Sequence, residues 1–265
     1  MEDQLGKEVL DKIDKLVENF IKNEEVFSRT LYNLHGLISL SKKLKPFVHT
    51  VKGRLKEPSH LKHKLIRKAL KAKKEGKEFD TTNESLSINV NDLVGVRIIH
   101  LHTKQFEKIN IHLKDLLKEE NWEIVEGPIA KTWDDESRTY FASIPGVSNE
   151  DNPNMYTSVH YDVRANSKYT CEIQVRTLME EVWGEVDHSI NYPDPTDSFS
   201  CREQIKALAR ATSSCSRLVD SIFSTYDFES TMKARRSPSK KVVAKKAEKK
   251  RAKKISNTKA FKKVR

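Results

Sequence analysis

Cysteine is scarce and unpaired in this sequence: Cys171, Cys201 and Cys215 are the only three, and no two stand in a CxxC spacing. An odd, scattered set excludes a disulfide framework and a thiolate metal centre, and it points to a reducing compartment. Long apolar runs are missing too, with no stretch of about 18 apolar residues to span a bilayer. The opening residues, MEDQLGKEVLDKIDKL, are amphipathic and acidic where a secretory signal needs an apolar core. A cytoplasmic protein without membrane contact is the expectation. Acidic residues nearly vanish at the far end. Residues 233–265 hold 16 Lys/Arg against Glu248 alone, a local charge of +15, so the overall +11 conceals a body of −4. The tail's stretch KARRSPSKKVVAKKAEKKRAKK also has almost no large apolar side chain to bury, which predicts a disordered or weakly helical segment.

What is present suits one sizeable core with appendages: 265 residues, 37% hydrophobic and 33% charged. Apolar residues Leu5, Val9, Leu10, Ile13, Leu16, Val17 and Phe20 predict a helix over 4–21. A second is expected over 25–44, and Pro58 and Ser59 start a third, followed by a loop over 74–87. LVGVRIIHL (93–101) reads as a buried strand, and 106–117 as an amphipathic helix. Short strands are predicted at 122–125, 139–144, 156–165 and 169–175, with PGVSNEDNPN between the second and third as a mobile loop. Helix resumes over 178–190 and again over 202–223. No internal repeat is visible. Helices at both ends of a four- or five-strand middle give an α+β (mixed α/β) domain.

Charge collects in four places. In a strand, Thr170, Glu172, Gln174 and Arg176 share one face, while Tyr169, Cys171, Ile173 and Val175 point into the core. The strand before it does the same, with Tyr156, Ser158, His160, Asp162 and Arg164 opposite Thr157, Val159, Tyr161 and Val163. Paired as a hairpin through residues 166–168, the two would present a continuous polar face suited to a charged, ring-bearing ligand. The plainer alternative is a half-solvated antiparallel sheet. In the following helix, Leu178, Val182, Val186 and Ile190 form a stripe that reads as core, leaving Glu181, Glu185 and His188 on the other side. Asp92 stands ahead of an apolar strand, where a carboxylate can hold a divalent ion, and Arg97 inside that strand needs a partner. Asp92 either precedes the regular strand or Gly95 marks a bulge. Lastly, Arg54 and Lys56 lie ahead of a helix that carries Lys64 and Arg67, a polyphosphate cradle or simply a solvated basic face.

In order and spacing, GRLKEPSHLKHKLIRK (53–68), DLVGVR (92–97), YTSVH (156–160) and EIQVRTLMEEVWGEVDH (172–188) resemble the RelA/SpoT alarmone synthetases, especially the small single-domain kind. The resemblance implies a nucleotidyltransferase-like mixed sheet flanked by helices. On that scheme residues 1–48 form an N-terminal helical segment, 49–195 the synthetase core, 196–232 a C-terminal helix and 233–265 the basic tail. It implies transfer of the β,γ-pyrophosphate of ATP to the ribose 3′-hydroxyl of GDP or GTP, with Mg2+ as cofactor. Asp92 and Glu172 would be the catalytic, magnesium-binding carboxylates, Glu172 also the base. Arg54, Lys56, Lys64, Arg67 and Arg97 would hold ATP, while Tyr156, His160, Gln174 and Arg176 would meet the acceptor, the tyrosine ring stacking on its base. Synthesis without hydrolysis is expected, since no His-Asp dyad occurs in the first 50 residues. The family usually has glycine immediately before the tyrosine motif; this sequence has Met155. The same resemblance leaves two alternatives open: a toxin that pyrophosphorylates the 3′ end of tRNA, and a non-catalytic RNA-binding protein. The tail 233–265 is then a candidate for tRNA or ribosomal RNA contact. The apolar stripe of the 202–223 helix suits core closure or a homo-oligomer interface.

Overall fold

The computed structural model describes residues 4–165, 169–192 and 194–236. Its chain divides into two compact units, Met1–Asp220 and Ser221–Arg265. Two helices come first, α1 (Lys7–Lys22) and α2 (Glu24–Ser39). In α1, Ile13, Leu16 and Phe20 recur at helical spacing and are buried. The second helix ends earlier than the pattern suggested, and Leu44 is buried from the turns that follow. A strand, β1 (Thr50–Leu55), then leads into α3 (Pro58–Lys74), whose Pro58 occupies a first-turn position where its missing N–H is harmless.

A short helix α4 (Leu86–Asn89) precedes the apolar strand β2 (Val94–His100), and α5 (Gln105–Glu119) follows it. The remaining elements are β3 (Glu123–Thr132), α6 (Asp135–Ala142), β4 (Ser148–Asp151), β5 (Ser158–Arg164), β6 (Thr170–Thr177), α7 (Leu178–Asn191) and α8 (Phe199–Arg236). The six strands form one mixed sheet in the order β1-β2-β6-β5-β3-β4. β2 and β6 run parallel at its centre, and β5 returns antiparallel to β6. Central placement explains the near-continuous burial of β2, which is covered on both faces. Tyr161, Val163, Cys171 and Ile173 join a single large core, as the alternation of β5 and β6 requires. The α-and-β architecture expected from the sequence is the one observed. Within the second unit, the described residues are the helical continuation of α8, and most of the tail 233–265 lies outside them.

Four expectations fail, each for a local reason. β1 went unread because TVKGRL is an edge strand with two exposed central residues, so it carries little apolar signal. Residues 139–144 lie in α6 or its end instead of a strand. Asp134 caps that helix by accepting from the Glu136 and Ser137 N–H groups at 2.9 and 3.1 Å, and Asp135 and Glu136 favour its first turn. The expected loop over 145–154 contains β4, an exposed edge strand parallel to β3. The stripe on α7 faces outward: Val182, Val186 and Ile190 are 47%, 36% and 40% exposed, while Glu180, Glu181 and Trp183 are buried. The surface beneath α7 is charged, so the helix turns carboxylates toward it.

Candidate active site

The polar face of β5 and β6 is where the chemistry gathers. His160 faces Gln174 and Asp162 faces Glu172 across the strand pair. The turn 166–168 proposed to join them lies outside the described residues, but the pairing itself is present. His160 Nδ1 lies 2.9 Å from Glu172 Oε1, and His160 Nε2 lies 2.6 Å from the Tyr156 hydroxyl. An ionised carboxylate can only accept, so Nδ1–H donates to Glu172, and Nε2 accepts the hydrogen bond of the Tyr156 hydroxyl. Gln174 Nε2 donates to the other Glu172 oxygen at 2.7 Å. Burial would raise the Glu172 carboxyl, yet the His160 hydrogen bond and electrostatic pull outweigh it and hold the group below its ordinary value. Tyr156 is pushed upward, first by burial and then by the Glu172 charge. Its ring lies parallel to that of Trp183, with centroids 6.2 Å apart.

Beside this relay stands a second cluster. Asp92 precedes β2, which runs unbroken against both neighbours, so the strand has no bulge at Gly95. Lys56 Nζ donates to one Asp92 oxygen at 2.6 Å and Lys64 Nζ to the other at 2.7 Å, with Arg54 at 4.0 Å. Burial opposes ionisation, but Lys64 and Lys56 prevail and lower Asp92 to about 2. Burial also pushes the Lys56 ammonium down, against the pull of Asp92. Asp92 and Lys64 both act electrostatically on Glu172, so the two clusters form one site. Arg67 reaches the edge of it, 5.8 Å from the Tyr192 ring centroid, and Lys56 stands 5.9 Å from the same ring.

Arg97 and Arg176 behave differently from the other candidates. Arg97 pairs with Glu181 at 3.4 Å and Glu185 at 2.5 Å, the internal ion pair that its position demanded. Arg176 is ion-paired with Glu181, and both side chains are only 5% exposed. Lys52 adds a third cation at 2.8 Å from Glu181. Burial raises the Glu181 carboxyl, but Arg176 and Lys52 together pull it below its ordinary value. The reading of Glu181 as part of an outer face is therefore corrected: it is the buried hub of a basic cluster.

Asn91 escaped the sequence reading, and Asp162 was read only as one member of the polar face of its strand. Asn91 Nδ2 donates to Asp162 at 2.7 Å, bridging the turn before β2 to β5. An Asn next to a marked Asp was the available signal. Among the described residues no group of three or more His, Cys, Asp or Glu is arranged to hold a metal ion. Two hard carboxylates near enough to sense one another still suit magnesium, which commonly binds through one or two carboxylates plus substrate phosphates.

A sequence model described as the region found in RelA / SpoT proteins matches residues 53–197, more than half of the chain. The chain belongs to the RelA/SpoT family. The match runs from within β1 to the residues just beyond α7 and contains every side chain of the site except Lys52. Solved structures agree on the fold of this RelA/SpoT protein. Small alarmone synthetase 1 from Bacillus subtilis is 18% identical, with a TM-score of 0.53 over 81% of this chain and 98% of that one. Small alarmone synthetase 2 from the same organism is 21% identical, with a TM-score of 0.52 over 78% and 98%. The first of these bound to its product pppGpp gives 17% identity and a TM-score of 0.51 over 79% and 97%. No curated protein matches the chain. Among the described residues, no helix is long and apolar enough to cross a membrane.

Proposed function

We propose that this protein is an alarmone synthetase that moves the β,γ-pyrophosphoryl group of ATP onto the ribose 3′-hydroxyl of GDP or GTP, releasing AMP. Family membership and fold support alarmone synthesis in general. The observation that carries the finer reading is the joining of two unlike clusters on one sheet face. The Lys56–Asp92–Lys64 cluster lies within electrostatic reach of a carboxylate relayed through His160 to a tyrosine ring. Pyrophosphoryl transfer requires both halves: charge neutralisation at phosphorus and an oriented hydroxyl relieved of its proton.

Lys56, Lys64 and Arg54 supply positive charge for the triphosphate, and Arg67 and Arg97 flank them. Glu172 accepts the proton of the 3′-hydroxyl as its oxygen bonds to the β-phosphorus. The bond from that phosphorus to the α,β-bridging oxygen breaks, and AMP departs with the electron pair. Held down in pKa, Glu172 is ionised at neutral pH and ready to accept. His160 and Gln174 fix its two oxygens, and Tyr156 offers the ring face on which the acceptor base stacks. Asp92 and Glu172 are the residues that would hold magnesium, which when bound neutralises the phosphate oxygens. Arg176, buried against Glu181, shapes the acceptor side through the charge it brings near Tyr156.

The test uses purified protein, magnesium and ATP labelled at the γ-phosphate, with GDP, GTP or deacylated tRNA as acceptor. Label on GDP or GTP that disappears in Glu172→Gln supports the proposal. Label on tRNA alone replaces it with the translation-blocking reading, and label on no acceptor leaves a binding protein.

A further inference from the structure

The peptide unit joining Tyr156 to Thr157 is gripped from both sides. Its carbonyl accepts from Asn152 Nδ2 at 3.2 Å, and its N–H donates to a Glu180 carboxylate oxygen at 3.0 Å. Both gripping side chains are deeply buried, Asn152 at 7% and Glu180 at 6% exposure. Each is itself anchored. Asn152 accepts from the Asn154 N–H at 3.0 Å through its side chain and donates its own N–H to the Thr132 carbonyl at 3.2 Å. Glu180 donates its N–H to Thr177 Oγ1 at 3.2 Å, at the start of α7. The grip therefore joins the end of β3 and the turn after β4 to the first turn of α7.

A buried carboxylate satisfied by one backbone N–H is an unfavourable arrangement, and burial drives Glu180 up to about 7. Side chains placed so at a loss serve something other than packing. The residue just before the gripped peptide supplies a reason. Met155 sits at φ +62°, the left-handed region that a residue with a side chain enters at a penalty. A strained backbone relaxes unless its neighbours hold it, and relaxation here would rotate the 156–157 peptide and swing the tyrosine ring away from His160.

We propose that Asn152 and Glu180 are positioning residues that set the plane of the Tyr156–Thr157 peptide and, through it, the tilt of the ring that receives the acceptor base. This rests on the acceptor role given to Tyr156 above. On this proposal neither side chain contacts the nucleotide. Both act through one peptide group, so their effects converge on acceptor affinity and leave ATP affinity alone.

Calorimetric titration of the full chain with GDP, and separately with a non-hydrolysable ATP analogue, tests this. Glu180→Ala and Asn152→Ala are expected to weaken GDP binding about tenfold while shifting the ATP analogue less than about twofold. Glu180→Gln, which keeps an acceptor oxygen, restores most of the loss. In a Tyr156→Ala background neither change weakens GDP further. Equal weakening of both nucleotides, or full additivity with Tyr156→Ala, overturns the clamp and leaves the enzyme reading intact. A wild-type chain that binds the ATP analogue but no guanine nucleotide overturns both together. Asn152→Ala leaves the first turn of α7 untouched and carries the test if Glu180→Ala does not fold.

Discussion

Replacing Gly184 by alanine sets two known quantities against each other. Gly184 lies inside α7, where exchanging glycine for alanine normally stabilises a helix by about 1 kcal/mol. A Cβ at this position would come within 2.8 Å of Arg176 Nη1, 3.4 Å of its Cζ and 3.5 Å of its Nη2. The guanidinium cannot swing into water, because it is 5% exposed and ion-paired with an equally buried Glu181. Displacing it loosens a buried pair, and breaking such a pair outright is worth about 3–5 kcal/mol. The loss is expected to exceed the helix gain, and Gly184→Ala should destabilise the fold, with an upper limit of about 2–4 kcal/mol. Urea unfolding of wild type and variant measures this directly. Repeating the substitution in an Arg176→Met background removes the obstacle, and there alanine should recover its gain of about 1 kcal/mol. If Gly184→Ala stabilises the otherwise wild-type chain, the guanidinium is not confined and the reasoning fails.

Further outcomes follow from the charges. Asp92 lies near 2 against an ordinary 3.8, so the stability it contributes is complete above about pH 4 and fades as pH falls toward 2. Acid unfolding of Asp92→Asn should lack that part of the transition. Glu180 has the opposite sign. Raised from 4.5 to about 7, it favours the fold below pH 4.5 and loses that contribution as pH climbs through 7. Glu180→Gln should therefore flatten the melting temperature between those limits, and an unchanged slope would refute the burial argument. Exchanging both members of the Asn91–Asp162 pair tests whether that bond ties the turn before β2 to β5. Asn91→Asp alone, facing Asp162, should lower the melting temperature, and adding Asp162→Asn should bring it back.

Much of this arrangement was legible before any coordinates. Alternation in β5 and β6 is a local property, so the face that carries His160, Glu172 and Gln174 followed from the residue order alone. The position of Asp92 ahead of β2 was readable for the same reason, with both alternatives stated and one realised. What could not be read depends on partners distant in the chain. Nothing near Glu181 announces that Lys52, Arg97 and Arg176 converge on it from other strands, and a helical count of apolar residues therefore turned α7 the wrong way round. The clamp on Tyr156 needs residues 152 and 180 together. α6 was missed although Asp134 heads it, because the aromatic pair Tyr140 and Phe141 favours a strand by residue type.

The outward-facing valines of α7 carry a consequence for anyone who would engineer this protein. Conventional thermostabilisation fills cores and trims buried charge, and α7 has its carboxylates against the sheet with its aliphatic side chains in water. Exchanging buried Glu181 for an apolar residue would look like an improvement in packing, yet it would strand Arg176 and Arg97 beside the strand that carries Glu172 and Gln174. Robustness and, on the proposed function, turnover draw on the same handful of ions. Variants selected only for heat resistance should gain it at sites remote from this helix, and a library that randomises α7 would have to be screened for both properties at once.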